Sequence, residues 1–285
     1  MMLTGAGKIA GVVGWPIRHS LSPLLHGYWL EELDIDGAMV PLAVAREDFA
    51  RIIAGLQRAG FRGVNVTVPH KEAAFALGHV CDDAAREAQA ANLLIFHPDG
   101  RIEARNTDTV GLTESLREET GSLEGRTVLL LGAGGAARGA VLAMNALGAA
   151  EIRILNRHAD KAATLAMALK PRVHAKIETG GLADWPAHAA KADLLVNTTS
   201  AGMKGNPPLA LDLTALRKDA AVLDIVYNPL QTALLKDAAA RGHKTIDGLG
   251  MLMHQAAPSF EAFFGTRPQV TPGLRACLER ALDHA

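Results

Sequence analysis

The stretch Leu129-Leu130-Leu131-Gly132-Ala133-Gly134-Gly135-Ala136-Ala137-Arg138 decides how this sequence folds. An apolar run leads directly into Gly-x-Gly-x-x-Ala, and a helix-length pattern follows. In such a loop the first glycine permits a tight turn and the second lets the backbone approach a pyrophosphate, while a small third residue lets helix pack on strand. The free N–H groups at the start of the helix suit a phosphate. The stretch therefore predicts a dinucleotide-binding loop rather than a purely structural turn.

The residues after the next predicted strand indicate which dinucleotide is bound. That strand, Glu151–Leu155, runs into Asn156-Arg157-His158-Ala159-Asp160-Lys161. A fold that prefers NAD usually carries an acidic residue there, which binds the ribose 2′-hydroxyl. Here the guanidinium of Arg157 suits a 2′-phosphate, and Lys161 adds a second cation. The sequence favours NADP over NAD, and the alternative is a solvated basic pair on a first helical turn.

Short apolar runs alternate with helix-length stretches along nearly the whole chain, which is typical of an α/β protein with a mostly parallel sheet. The predicted strands are Ile9–Gly14, Gly37–Val44, Gly63–Val68, Thr127–Leu131, Glu151–Leu155, Val173–Ile177, Asp193–Val196 and Ala221–Val226. A hairpin of Asn92–Phe96 and Arg101–Ala104 is predicted around Pro98-Asp99-Gly100. The principal predicted helices are Pro23–Leu33, Glu47–Ala59, Asp108–Thr120, Leu249–Phe264 and Pro272–His284.

Composition excludes several classes of protein. At about 150 residues per domain, 285 residues suggest two domains. The net charge of −1 gives no electrostatic case for binding nucleic acid or an anionic membrane. Two distant cysteines, Cys81 and Cys277, form neither a disulfide framework nor a zinc motif, so no metal is expected. Because the sequence shows no leader peptide and no membrane span, we expect a cytoplasmic protein.

Two clusters in the first third of the chain carry candidate substrate ligands. Ser20 and Ser22 precede a predicted helix, where two hydroxyls and free N–H groups suit a carboxylate. Ser22-Pro23 also fits a helix N-cap and first position, which explains Ser22 but not Ser20. In Gly63-Val64-Asn65-Val66-Thr67-Val68, alternation places the valines on one face and the polar residues on the other. The polar face predicts a lined cleft.

Lys71 and Asp108 are the candidate catalytic residues. Lys71 follows the carboxyl end of the strand Gly63–Val68, which is where open α/β sheets bind ligands. Asp108 opens a predicted helix and would serve as its N-cap. Paired with Lys71, its carboxylate would instead hold the lysine and balance its charge during proton transfer.

Seven motifs, in order along the chain, make the sequence resemble the shikimate dehydrogenase family from about Ile9 to Phe264. Ordered motifs at matching spacing are far more specific than any one of them. They are Gly14-x-Pro16-x-x-His19-Ser20-x-Ser22-Pro23-x-x-His26, Asn65-Val66-Thr67-Val68-Pro69-His70-Lys71, Asn106-Thr107-Asp108, Gly132-Ala133-Gly134-Gly135-Ala136-Ala137-Arg138, Asn156-Arg157, Asn197-Thr198-Thr199-Ser200-Ala201-Gly202-Met203 and Gly248-Leu249-Gly250-Met251-Leu252-x-x-Gln255-Ala256.

The resemblance implies an N-terminal α/β substrate domain with a mostly parallel sheet, a C-terminal Rossmann domain that binds NADP(H), and a cleft between them. The implied limits are 1–107, completed by the C-terminal helices in 249–285, and 108–248. The implied reaction is the reversible reduction of 3-dehydroshikimate to shikimate, in which Lys71 supplies the proton while the nicotinamide delivers hydride to the C3 carbonyl. The protein would be a monomer or a homodimer.

The resemblance also implies roles for individual residues. Lys71 and Asp108 would form the catalytic pair, and Ser20 with Ser22 would bind the substrate carboxylate. The residues that would bind the rest of the substrate are Thr67, Asn92, Asp108, Tyr227 and Gln255. The residues that would contact the cofactor are Gly132, Ala133, Gly134, Gly135, Ala136, Ala137, Asn156, Arg157, Lys161, Thr198 and Gly248.

Departures from the family pattern keep alternatives open. Leu93 follows Asn92 where the family usually has threonine, and His158 follows Arg157 where threonine is common. Arg105 and Gly27 also depart from the usual residues. A changed polar contact can alter specificity strongly, so a paralogue that oxidises quinate or a related cyclic acid is one alternative. A non-catalytic NADP-binding sensor and an oxidoreductase with a similar cofactor domain, such as a methylene-tetrahydrofolate dehydrogenase, are the others.

Overall fold

A computed structural model of the chain describes residues 3–283 and divides into two compact units. The first unit contains the chain up to Asp108 and is completed by Met253–Ala281, whereas the second is built on Thr109–Leu252. The chain therefore passes from the first unit to the second and back again, and the first unit is discontinuous in sequence.

The first unit contains a six-stranded mixed sheet with helices. Its elements are β1 (Lys8–Gly14), α1 (Ser22–Glu32), β2 (Gly37–Ala43), α2 (Phe49–Arg58), β3 (Gly63–Val66), α3 (Lys71–Leu77), β4 (Val80–Cys81), α4 (Asp83–Ala88), β5 (Leu93–Phe96) and β6 (Ile102–Arg105). The strand order is β2-β1-β3-β5-β6-β4. Strands β2, β1 and β3 run parallel, and β5 is antiparallel to both neighbours. The predicted hairpin is confirmed, with Gly100 at φ +86° in its turn.

The second unit contains a parallel sheet of the doubly wound type. Apart from Asp108, the first residue of α5, which belongs to the first unit, it holds α5 (Asp108–Thr120), β7 (Thr127–Leu131), α6 (Gly135–Ala146), β8 (Glu151–Asn156), α7 (Ala159–Leu169), β9 (Lys176–Gly181), α8 (Trp185–Ala189), β10 (Leu194–Asn197), β11 (Ala221–Asp224), α9 (Ala233–Ala240) and β12 (Thr245–Ile246). The order β12-β11-β10-β7-β8-β9 is that of a Rossmann fold, whose direction of winding changes between β7 and β10. The predicted α/β class is confirmed.

The two faces of this parallel sheet explain why β7 is apolar from Val128 to Leu131. Val128 and Leu130 belong to the hydrophobic cluster on one face, and Leu129 and Leu131 belong to the cluster on the other. A parallel strand that is covered on both faces has no position for a polar side chain. The continuous run in the sequence is therefore what a central parallel strand requires.

The last two helices are α10 (Leu249–Phe264) and α11 (Pro272–Asp283). The predicted bounds of α10 are confirmed, although it contains Pro258. Its first residues belong to the second unit and the remainder, from Met253, belongs to the first. Of the predicted second helix, Pro272–His284, the final residue lies outside the described part of the chain.

Three strand predictions are wrong in detail, and one of them, Ala221–Val226, ends early at Asp224, where the backbone N–H of Val226 donates to the Asp224 side chain. The strand predicted at Val173–Ile177 begins instead at Lys176, because the Oδ1 atom of Asn145 accepts the backbone N–H groups of His174 and Ala175 and removes them from the ladder. The strand predicted to reach Val68 ends at Val66. Val68 consequently does not share the buried face of Val64 and Val66, and 68% of its surface is exposed.

Within residues 3–283, none of the helices combines the length and the apolar character needed to span a bilayer. The same part of the chain holds two free cysteines, Cys81 and Cys277.

Candidate active site

Polar side chains from four segments of the chain come to one edge of the sheet in the first unit. Strands β1 and β3 are parallel, so the segments that follow them, carrying Ser20 and Lys71, leave from the same edge. Strand β5 is antiparallel to β3, which places its first residues, next to Asn92, at that edge. Strand β6 runs back again and ends beside it, two residues before Thr107-Asp108. The mixed topology therefore gathers segments that are far apart in sequence.

Lys71 and Asp108 form a direct ion pair at this edge. The Lys71 Nζ atom lies 2.5 Å from Asp108 Oδ2, and the two side chains retain 29% and 14% of their exposure. Lys71 is the first residue of α3, and Asp108 is the first residue of α5. The backbone N–H of Asp108 donates to Asn106 Oδ1, so Asn106 and not Asp108 satisfies this helix start. The Asp108 carboxylate is thereby left for Lys71.

Asn92 joins the ion pair to a wider hydrogen-bond network. Its Nδ2 atom donates to Asp108 Oδ1 at 2.8 Å, and its Oδ1 atom accepts from the backbone N–H of Thr107 at 2.8 Å. The Oε1 atom of Gln255 accepts from Asn92 Nδ2 and from Thr107 Oγ1, each at 3.3 Å. The network thus places four predicted site residues together: Lys71, Asn92, Asp108 and Gln255.

Asn65 lies beneath this network and has an unsatisfied acceptor. Its Nδ2 atom donates to Ser259 Oγ at 2.7 Å and to the backbone carbonyl of Asn92 at 3.3 Å. Its Oδ1 atom is buried and has no hydrogen-bond partner among residues 3–283. A buried acceptor without a donor is uncommon and marks a position where a ligand can supply one.

The predicted carboxylate site has a different local structure from the one expected. Ser22 is the first residue of α1, and Leu21 occupies the cap position without any side-chain bond, so the predicted cap by Ser22 is wrong. Instead, Ser20 Oγ accepts the backbone N–H of Ser22 at 3.3 Å. Ser20 is partly buried, and Ser22 is 7% exposed. Thr67 follows β3, and its backbone N–H donates to the carbonyl of Val13.

The glycine loop of the second unit has the backbone that its sequence predicts. Gly132 has φ +111°, and a Cβ atom there would lie 2.7 Å from Thr198 Oγ1. The Oγ1 of Thr198 donates to the carbonyl of Leu131, which fixes the turn after β10 against the loop after β7. Both turns lie at the carboxyl ends of the two strands where the winding changes direction, the usual dinucleotide position.

The residues of this loop fit an NADP pyrophosphate and 2′-phosphate. Gly134 caps α6, and a Cβ atom on Gly134 or Gly135 would meet nothing within 4 Å, so the helix start is open to a ligand. Ala136 is partly buried, and Ala137 is fully buried against the sheet. Arg157 and Lys161 are exposed and form no ion pair with a carboxylate of the described chain. Two unpaired cations beside the end of β8 suit a phosphate dianion.

The remaining cofactor and substrate candidates occupy different surroundings. Asn156 ends β8, and its Nδ2 donates to the carbonyl of His158. Gly248 has a steric reason to be glycine, since a Cβ atom there would lie 2.2 Å from the carbonyl oxygen of Ile225. Tyr227 follows β11 in the second unit, and burial raises its pKa above the ordinary value.

A buried carboxylate supports the turns after β10 and β11. Asp224 is fully buried and accepts hydrogen bonds from Asn197 Nδ2, Thr232 Oγ1 and the backbone N–H of Val226. Burial raises the pKa of Asp224 above its ordinary value, although the three hydrogen bonds oppose the shift. Among the described residues, no three His, Cys, Asp or Glu side chains meet in a way that could hold a metal ion.

Sequence reasoning assigned no role to three residues of the network: Thr107, Asn65 and Ser259. Thr107 and Asn65 lie inside motifs quoted above, and the alternation of β3 already placed Asn65 on a polar face. Ser259 gives no such signal, because a serine four residues after Gln255 on an apolar helix is unremarkable in sequence. Only the packing of α10 against β3 identifies it.

Comparisons with known proteins cover most of the chain. Residues 12–94 match the family model for a shikimate dehydrogenase substrate-binding domain. Residues 114–204 match the model for shikimate / quinate 5-dehydrogenase. The two matches fall in the first and second units, respectively.

Full-length relatives show the same similarity. The shikimate dehydrogenase (NADP(+)) of Paramagnetospirillum magneticum is 49% identical over 96% of this chain and 99% of its own. The structure of shikimate 5-dehydrogenase from Thermus thermophilus in complex with NADP(H) and shikimate is 32% identical, with a TM-score of 0.84 over 97% of this chain and 99% of that one. Quinate dehydrogenase from Corynebacterium glutamicum in complex with NAD is 27% identical, with a TM-score of 0.87 over 95% and 98%.

Proposed function

Because the chain belongs to the shikimate dehydrogenase family, we propose that it catalyses the reversible reduction of 3-dehydroshikimate to shikimate with NADPH. The observation that carries the proposal is the ion pair of Lys71 and Asp108 inside a network of amides and hydroxyls. A non-catalytic sensor would need the glycine loop and Arg157, but it would gain nothing from this pair.

Lys71 acts as the proton donor for reduction. Its ammonium gives one proton to the oxygen of the substrate carbonyl as hydride arrives at the carbon, and the alcohol forms. Asp108 holds Lys71 in one position, because its Oδ2 accepts from Nζ while its Oδ1 is held by Asn92. Neutral Lys71 then regains a proton from solvent, and in the reverse direction the amine accepts the proton of the hydroxyl.

Substrate binding divides between hydroxyls and amides. Ser20 and Ser22 hold the carboxylate with hydroxyls and the N–H groups at the start of α1, a way to bind an anion without a full counter-charge. Amide and hydroxyl groups bind the ring hydroxyls, and the unpartnered Oδ1 of Asn65 accepts from one of them. The other residues that we assign to the substrate are Thr67, Asn92, Asp108, Tyr227 and Gln255.

NADPH, when bound, supplies the hydride. The open start of α6 holds its pyrophosphate, and Arg157 with Lys161 holds the 2′-phosphate. The small residues of the loop let the cofactor approach the backbone closely. Gly132 must be small for a second reason, since a side chain there would meet Thr198 of the neighbouring turn. The second unit is therefore the cofactor unit, and the first unit is the substrate unit.

The test is an absorbance assay at the NADPH band with shikimate or quinate and with NADP or NAD. We expect turnover with shikimate and NADP to exceed that of the other three pairs. Faster turnover with quinate would assign the protein to the quinate-oxidising branch of the family. No turnover with any cyclic hydroxy acid, together with tight binding of NADPH, would establish the sensor instead.

We also propose that the protein works in the cytoplasm, where thiols stay reduced. The two cysteines of the described chain are free, which suits such a compartment. Fluorescent tagging at the C-terminus followed by cell fractionation tests this location.

A further inference from the structure

Two polar residues on the part of α10 that belongs to the first unit contact Asn65, Asn92 and Thr107 from consecutive helical turns. Gln255 and Ser259 are four residues apart, so they lie on one face of the helix. Gln255 contacts Asn92 and Thr107, which belong to the network around the ion pair. Ser259 is completely buried, and its Oγ accepts from Asn65 Nδ2 at 2.7 Å.

These contacts determine how the amide of Asn65 is oriented. An Asn amide has two N–H donors on Nδ2 and one acceptor oxygen, and the two ends are nearly equal in size. In Asn65 both donors are used, one by Ser259 Oγ and one by the carbonyl of Asn92. The acceptor Oδ1 is consequently the atom that remains without a partner. The bond to Ser259 is the shorter of the two, at 2.7 Å against 3.3 Å.

We propose that Ser259 is a positioning residue that acts through Asn65 and sets which substrate the site accepts. By holding Nδ2, it keeps Oδ1 available as an acceptor for a ring hydroxyl of the substrate. A substrate that lacks this hydroxyl leaves the buried oxygen unsatisfied and is rejected. The inference rests on the function proposed above, because it requires a polyhydroxylated cyclic acid in the substrate unit.

Removal of Ser259 Oγ releases the amide. With only the longer bond to the Asn92 carbonyl, Asn65 can turn over and present N–H donors in place of Oδ1. Because the contact is made to a part of the substrate that does not react, its loss should weaken ground-state and transition-state binding alike. The expected signature is a higher KM for shikimate with an unchanged kcat.

The experiment compares Ser259→Ala with the unmodified protein. We expect the KM for shikimate to rise about 3- to 10-fold, the range of one hydrogen bond, while kcat and the KM for NADP stay constant. The second measurement is the ratio of kcat/KM between shikimate and analogues that each lack one ring hydroxyl. For one analogue this ratio should be smaller in the variant than in the unmodified protein, because binding in the variant no longer depends on the hydroxyl that this analogue lacks. Ser259→Thr, which keeps an Oγ, should restore the ratio.

A double-mutant cycle separates a positioning role from a purely structural one. In an Asn65→Ala background, Ser259→Ala should have no further effect on the KM for shikimate, because the residue through which it acts is gone. Ser115→Ala is the matched control, since Ser115 is another buried serine on a helix, in the other unit. It should leave the KM for shikimate unchanged.

Three results would overturn the inference. The first is a Ser259→Ala variant with an unchanged KM for shikimate and unchanged discrimination between shikimate and its analogues. The second is full additivity of Ser259→Ala and Asn65→Ala in their effects on the KM for shikimate. The third is an equal rise in KM for Ser115→Ala, which would indicate a general loss of packing. If Ser259→Ala does not fold, Ser259→Cys keeps nearly the same volume with a weaker acceptor, and the same rise in KM is expected. Lack of shikimate turnover in the unmodified protein would instead refute the proposed function, and the inference with it.

Discussion

Lys71 lies at the start of a helix and contacts a carboxylate that a second side chain also holds, so its ammonium has little freedom of position. A positioned proton donor typically contributes about 10²–10⁴-fold to the rate. We therefore expect Lys71→Ala to lower kcat by that factor. The Kd for NADPH, measured by fluorescence, should stay the same because the cofactor loop belongs to the other unit. A variant with nearly normal kcat would refute the mechanism.

Asp108→Asn is the companion to this experiment. It removes the charge that holds Lys71 but keeps a side chain of the same shape, so kcat should fall. Its KM for shikimate should rise as well, because we propose that the same carboxylate also binds a ring hydroxyl of the substrate. A change in only one of the two constants would show that Asp108 has only one of the two roles.

Ser20 and Ser22 are predicted to differ in their effect on stability. Ser20 Oγ accepts the N–H of Ser22 at the start of α1, whereas no cap bond comes from Ser22. Ser20→Ala should therefore raise the KM for shikimate and also lower the free energy of unfolding by about 1 kcal/mol, the usual net value of one hydrogen bond. Ser22→Ala should raise KM with a smaller loss of stability. Urea unfolding of both variants measures the difference, and an unchanged KM in both would move the carboxylate site elsewhere.

Helix α1 packs on α10 through the buried side chain of His26. His26 is completely buried, and neither of its ring nitrogens has a hydrogen-bond partner among residues 3–283. It contacts the rings of Trp29 and Phe260, with centroids 6.0 Å and 5.7 Å away. This burial lowers the pKa of His26 from 6.5 to about 3.

The depressed pKa of His26 makes the stability depend on pH in one direction. In the unfolded chain His26 binds a proton below pH 6.5, whereas in the folded chain it stays neutral down to about pH 3. The free energy of unfolding therefore falls as the pH falls through this range. The slope is about 1.4 kcal/mol per pH unit, which amounts to about 2 kcal/mol at pH 5. Urea unfolding between pH 7 and pH 5 measures the loss.

The control for this prediction is a pair of variants. His26→Leu should flatten the dependence on pH between 7 and 5, whereas His174→Leu, at an exposed position, should leave it unchanged. Equal slopes in the unmodified protein and His26→Leu would show that other groups govern the acid response.

The elements themselves differ in how far the sequence predicts them. The sequence predicts the long apolar strands and the helix Leu249–Phe264 directly from their hydrophobic patterns. Burial on both faces determines the pattern of such a strand, and burial on one face determines that of the helix. The start of β9 does not, since the side chain of Asn145 competes for the backbone N–H groups at its entrance. The two-residue strands Val80–Cys81 and Thr245–Ile246 exist only by pairing with longer neighbours, so no local pattern predicts them.

Some residues of the site are identified by motifs, whereas the contacts that bring them together arise only from the folded chain. Motifs identify Lys71 and Asp108, but only the mixed topology of the first sheet explains why they meet. Likewise the glycine motif predicts the turn at Gly132. The close approach of Thr198 to this turn, in contrast, depends on the pairing of β7 with β10. Ser259 has no motif, because its role arises from the packing of α10 on β3.

NADP and shikimate should each stabilise the folded protein, because we propose that they bind to different units. A ligand at 100 times its Kd adds about 2.7 kcal/mol to the free energy of unfolding, which is read as a rise in Tm. Arg157→Asp should abolish most of the rise caused by NADP, since it removes a charge-assisted bond worth about 1.5–3 kcal/mol and adds repulsion. The rise caused by shikimate should persist. Lys191→Asp, at another exposed lysine, is the control and should keep both rises.

The discontinuity of the first unit has a consequence for biosynthesis. The ribosome releases the sheet of this unit first, but Gln255, Ser259 and Phe260, which pack on that sheet unit, emerge only after the whole of Thr109–Leu252. The intervening segment, Thr109–Leu252, carries its own two hydrophobic clusters and can fold before them. A nascent or prematurely terminated chain therefore gains the means to hold a dinucleotide before it can recognise a sugar-like acid. The network around Lys71 and Asp108 is complete only when the residues after Leu252 have joined the first unit.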